Sequence, residues 1–176
     1  MCSVKLEAKL TASTAREVCR QLRELDASQT DAPIVLQIHS GGGSVASAIA
    51  ILNQMERSRR PVFTHCSSRC ASMAAILLMA GKRRSAAPDA QILVHKSQAA
   101  PLVAARDHGA QTSSARAFRS AQRLKKREMV EACNWVLVDQ MAKYSGTPLF
   151  EMRRAFERID GTWLNVDSAR EHGFID

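Results

Sequence analysis

The sequence predicts an α/β domain built on a largely parallel sheet, and three observations carry that expectation. Short runs rich in β-branched residues fall at "PIVLQIH" (33–39), "PVFTHC" (61–66) and "AQILVHK" (90–96). Stretches with helical apolar spacing follow the first two. The connections between them are short enough to imply right-handed crossovers, which set successive strands parallel. No repeat or low-complexity linker divides the chain, so one domain over residues 1–176 is expected.

Each element has its own signal. "TAREVCRQLREL" opens with Thr14-x-x-Glu17, a capping-box pattern, and carries Val18, Leu22 and Leu25 at helical spacing. After the strand at 33–39 comes "SGGG", then a helix with Val45, Ile49, Leu52 and Met55 on one face. The strand at 61–66 leads into an apolar helix that starts at Ser72 and ends near Gly81. "QAAPLVAARDHGAQTSS" (98–114) is irregular, broken by Pro101 and Gly109. From about Thr112 to Tyr144 there is neither Pro nor Gly, which predicts one long helix. Its second half has an apolar stripe of Met129, Cys133, Val136, Leu137, Gln140 and Tyr144. Its first half is basic and is expected to project from the body. "GTPLFEMRRAFERI" restarts a helix with Thr147 as N-cap and Pro148 at the first helical position. "LNVDSAREHGFID" predicts a short helix stopped by Gly173, then a last strand.

Composition narrows the function classes. Apolar content of 45% and charged content of 24% are those of a globular protein. The opening "MCSVKLEAKL" has no signal-peptide core, and the apolar block Met73 to Ala80 falls far short of the roughly 20 residues that cross a bilayer. Five cysteines without metal-ligand spacing point to reduced thiols, so a cytoplasmic protein without a metal site is expected. The net charge of +8 sits in "RSRRP", "GKRRS" and "ARAFRSAQRLKKRE", with Phe118 the one aromatic among them. That pattern fits a solvated basic face better than a nucleic-acid surface.

Chemistry gathers at one edge of the sheet. The first strand ends in "HSGGGS", the second leads to Ser72, and the third ends with His95. In a parallel sheet those ends share an edge, where open α/β folds bind ligands. Taken alone, Ser72 could be a plain N-cap, His95 an ordinary strand-end residue, and Gly41, Gly42 and Gly43 a permissive turn. Taken together they supply a nucleophile at a strand-to-helix turn, a general base, and backbone N–H groups for an oxyanion, with the Met73 N–H beside the serine.

"IHSGGGSVASAIAILNQM", "CASMAAILLMAG" and "APDAQILVHKS" resemble the three signature segments of the Clp protease proteolytic subunit (ClpP) family. "YSGTPLFEMRRAFER" and "SAREHGFID" resemble its closing region. The resemblance implies a ClpP/crotonase-like spiral of ββα units with a protruding handle helix at about 112–144, serine endopeptidase chemistry, and homo-oligomeric stacked rings. It makes Ser72 the nucleophile and His95 the base, and it gives the oxyanion-hole amides to Gly43 and Met73. Gly41 and Gly42 line the substrate. No cofactor is implied.

Three departures bear on mechanism. Gly41 replaces the family's proline, and Ser68 replaces a glycine ahead of the nucleophile. The third triad member falls, without a gap, on Gly161, with Asp160 one residue earlier. Asp160 is the expected orienting carboxylate, ahead of Asp167 and Asp139. The short stretch before the first strand argues against docking of an ATPase unfoldase, and with no nucleotide motif any ATP dependence would come from such a partner. Two competing readings remain. One is a catalytically weakened or inactive ring subunit. The other is an NADP-binding domain, suggested by Gly41-x-Gly43-x-x-Ala46 and Arg69 but lacking the acidic residue at the next strand end.

Overall fold

The computed structural model describes residues 2–96 and 113–176, and of residues 113–127 the backbone alone. The 98–112 part of the irregular segment therefore lies outside the described residues. The chain divides into two compact units, Met1–His95 with Leu137–Asp176, and Lys96–Val136. The first contains the whole sheet and every candidate site residue.

Five strands are parallel. β1 (Ser3–Leu6) pairs with β2 (Ile34–Ser40), and β2 pairs with β3 (Val62–Ala71). β3 is long enough to serve two partners: β4 (Arg84–Ala86) along its first half and β5 (Gln91–Leu93) along its second. β6 (Trp163–Leu164) closes the path antiparallel to β5. The expected α/β class with a mostly parallel sheet is the one observed.

Helices pack against this sheet. α1 (Ala12–Asp26) buries Ala15, Val18, Cys19 and Leu22, and α2 (Val45–Arg57) buries Ser47, Ala48, Ile51, Leu52 and Met55. They pack on Val4, Leu6, Leu36 and Ile38 in one continuous core. α3 (Met73–Met79) is apolar all round and every residue of it is buried, as a helix inside a core must be. α4 spans Ser113–Ser145. α5 (Leu149–Ile159) and α6 (Val166–Glu171) complete the chain.

Several boundaries differ from the sequence reading, each for a local reason. The capping box of α1 is Thr11 with Thr14, because Thr14 reaches back to the Thr11 N–H; Glu17 pairs with Arg20 instead. In α2 the buried stripe runs through Ala48 and Ile51, which leaves Val45 and Ile49 only partly covered. Met129 is exposed whereas Leu137, Val138 and Met141 are buried, so the stripe of α4 is narrower than expected. Pro148, not Thr147, holds the N-cap position of α5. The last strand does not form. Asp176 folds back on Arg84, which donates its backbone N–H to Asp176 Oδ2 at 2.9 Å and pairs with the carboxylate through its guanidinium.

Candidate active site

β3 sets the geometry. Its register slips between Ile38/Cys66 and Ser40/Cys70, so one residue of β2, His39, faces three of β3. This bulge pushes Ser67, Ser68 and Arg69 into solvent while Cys66 and Cys70 stay buried. The strand then resumes through Ala71 and delivers Ser72 at the sheet edge.

Ser72 makes a sharp turn there. Its φ of 56° and ψ of −128° make it the one non-glycine residue with positive φ among the described residues. Such a backbone costs about 1–3 kcal/mol and persists only where the surroundings enforce it. Two contacts enforce it. The Ser72 N–H donates to Leu93 O at 2.7 Å, and its carbonyl accepts the Ala75 N–H at 3.0 Å. The side chain forms no cap hydrogen bond with α3, so the plain N-cap reading does not describe this serine.

His95 lies two residues beyond β5, not within it, and is half-buried. Because Ala71 is paired with Leu93, the residues leaving β3 and β5 emerge side by side. The same strand end receives the Asp160 turn from its other side. Gly161 donates its N–H to Val94 O at 2.9 Å, immediately before His95. Asp160 (φ −54°, ψ 118°) and Gly161 (φ 75°) are the central pair of a type II turn closed by Thr162 N–H to Ile159 O at 2.9 Å. Asp160 is therefore held at the backbone next to His95. The alternatives are engaged elsewhere: Asp167 pairs with Arg170 in the first turn of α6, and Asp139 accepts from Gln140.

The glycine loop reaches the serine turn from β2. A Cβ placed on Gly42 would sit 2.8 Å from Ser72 Cβ and 3.1 Å from Met73 N, so only glycine permits this approach. Ser40 Oγ takes the Gly42 N–H at 3.1 Å. Gly43 forms a parallel bridge with Leu10, in which Leu10 N–H bonds Gly42 O and Ser44 N–H bonds Leu10 O. That pattern turns Gly43's own N–H away from Leu10.

The buried Cys70 thiol offers no rival nucleophile. Burial pushes the Cys70 thiol well above its ordinary range, and its sulfur contacts Ile38 O at 3.6 Å. No group of three or more metal-ligating side chains occurs among the described residues.

The sequence profile of the family described as Clp protease matches residues 2–176. The chain belongs to the Clp protease family. It is 30% identical over 166 residues to the ATP-dependent Clp protease proteolytic subunit 1 of Bifidobacterium longum (strain NCC 2705), an overlap covering 93% of this chain and 64% of the relative. The chain thus spans a little under two thirds of the length of that relative. Within the Clp protease frame, the resemblance-based departure at Gly161 has a local cause: a type II turn needs positive φ at its third residue, and glycine supplies it.

Sequence reasoning missed two parts of this edge. His39, next to last in β2, also stands there and is exposed. The bulge that presents Arg69 has no periodic signature at all. The Asp160-Gly161 dipeptide, by contrast, is a turn signal that could have placed the carboxylate ahead of the structure.

Proposed function

We propose that this chain is a serine endopeptidase of the ClpP type, acting on peptides or unfolded segments in a homo-oligomeric ring. Ser72 attacks the scissile carbonyl, His95 takes its proton and returns it to the leaving amine, and Asp160 orients the imidazole. The amides of Gly43 and Met73 hold the oxyanion, with Gly41 and Gly42 beside the substrate. The observation that supports this most is the strained turn at Ser72, tied by its own N–H to the strand that ends before His95. Such strain is retained where a hydroxyl must be presented rather than used as a cap.

A fluorophosphonate probe tests the reading directly. Mass spectrometry of the assembled protein is expected to find one adduct, on Ser72, and hydrolysis of a short fluorogenic peptide is expected to vanish in Ser72→Ala. Absence of both adduct and hydrolysis would favour the second reading, an inactive ring subunit, for which Gly161 at the family's aspartate position is the specific argument. An ATPase unfoldase is the partner that the family suggests, because the Bifidobacterium relative is named as ATP-dependent.

A further inference from the structure

A cavity of about 360 Å³ opens beside the glycine loop, lined by Gly41, Gly42 and Gly43 with Glu7, Lys9, His39 and Arg69 among the other lining residues. We propose that this cavity is a subsite for an acidic side chain of the substrate, and that Arg69 is the residue that determines the preference. The inference rests on the peptidase reading and names the substrate class that reading leaves open.

Position comes first. Gly42 touches the Ser72 turn, and the same glycine walls the cavity, so the cavity borders the candidate reaction centre. Arg69 precedes Ser72 by three residues along β3, which is about 10 Å of extended chain. A bound peptide in extended form advances about 3.3 Å per residue. A side chain seated in the cavity therefore belongs to a residue within about three positions of the scissile bond.

Charge comes second. Glu7, the one carboxylate in the lining, pairs with Lys5 at 3.4 Å. Among the described residues neither Lys9 nor Arg69 has an ion-pair partner. Two cations and an imidazole thus line a concave space that holds a single carboxylate, Glu7, itself paired with Lys5. A carboxylate entering it gains a bidentate partner in the Arg69 guanidinium, whereas a lysine or arginine side chain meets like charge. Arg69 is presented by the bulge rather than by chance: three residues of β3 against one of β2 force it outward at that point. Space is available as well, because a Cβ on Gly41 would meet nothing within 4 Å.

A mixed peptide library read by mass spectrometry of the cut ends tests this on the full-length, assembled chain. Asp and Glu are expected to be enriched over Lys and Arg by about three- to tenfold at one position within three residues of the cut. Arg69→Glu is expected to reverse that ratio at the same position, and Lys9→Glu to weaken it. The ratio is internal to each variant, so a lower yield of folded protein does not disturb it. Cleavage without charge preference near the cut overturns the subsite. A preference that survives Arg69→Glu unchanged overturns the role of Arg69. If no peptide is cut and Ser72 takes no fluorophosphonate, the peptidase reading falls and the subsite with it.

Discussion

At the scale of the residue, the backbone of Ser72 holds a positive φ that costs a non-glycine residue free energy. Glycine adopts positive φ without that strain, so Ser72→Gly is expected to raise stability by about 1 kcal/mol in urea unfolding, after allowing for glycine's greater freedom in the unfolded chain. Ser72→Ala keeps the strain and should match the parent in stability, and both variants should lose peptide hydrolysis. A loss of stability in Ser72→Gly would count against a serine retained for chemistry. Asp160 invites a parallel test. If it orients His95, Asp160→Asn lowers kcat by about 10³- to 10⁴-fold, as loss of the orienting carboxylate does in a serine triad. Asp167→Asn, paired only with Arg170 on an exposed helix turn, should stay within about twofold of the parent. Equal effects from the two would separate Asp160 from the reaction. The placement of Ser72, His95 and the glycine loop at one sheet edge was legible because each combines an unusual residue with a strand end. The orienting carboxylate was harder to read. A single-residue offset at Gly161 left Asp160 ahead of Asp167 and Asp139 only by proximity in the alignment, and the Asp-Gly turn signal is what the sequence offers for it.

At the scale of the element, legibility followed length and periodicity. The runs at 33–39, 61–66 and 90–96 all marked strands, because alternating burial of β-branched residues leaves a pattern. β4 and β6, three and two residues long, leave none; they exist because β3 and β5 offer them a partner. The extension of β3 to Ala71 was hidden for a similar reason, since its bulge interrupts the alternation that would have announced it. Close packing of the glycine loop on the serine turn yields a prediction at this scale. A Cβ on Gly42 would lie 2.5 Å from Ala71 O, so Gly42→Ala is expected to cost about 1–3 kcal/mol and to lower kcat by displacing the loop. Gly161→Ala meets nothing within 4 Å and should lose only the cost of its positive φ, about 1 kcal/mol. The link between α1 and β3 gives a pH test. Asp26, at the end of α1, accepts the Arg60 N–H at 2.9 Å and the Arg59 N–H at 3.1 Å, and the bond from Arg60 foremost holds its carboxyl below the ordinary carboxylate range. A depressed folded-state pKa means stabilisation that is full above the unfolded value of about 4 and is lost as pH falls through the folded one. Asp26→Asn should therefore be less stable than the parent near neutral pH and should lose less on acidification, measured by urea midpoints from pH 6 down to pH 3. Parallel pH profiles would refute the link.

At the scale of the whole molecule, the open question is what covers the apolar surface that the chain leaves in solvent. No helix among the described residues is long and apolar enough to cross a membrane, so a bilayer-spanning helix is not the answer there. Met129 is 68% and Trp135 43% exposed in α4, six residues or about 9 Å apart along one helix. Tryptophan buries more apolar area than almost any other side chain, so its exposure on a long helix is what a self-association surface would leave in an isolated chain. The ring assembly proposed here requires such a surface, and Trp135 can report it. Trp163, 44% exposed beside the Asp160 turn, is the other tryptophan, and Trp163→Phe leaves a single emitter. As concentration rises and sedimentation shows the 19.3 kDa chain passing into multiples of itself, the emission of Trp135 is expected to shift to the blue as water leaves the indole. Met129→Glu should move that transition to higher concentration, because a carboxylate at an apolar contact must be desolvated without a partner. Mass that multiplies while the Trp135 spectrum stays fixed would place the contact elsewhere, and a chain that stays monomeric at every concentration would remove the ring from the proposal.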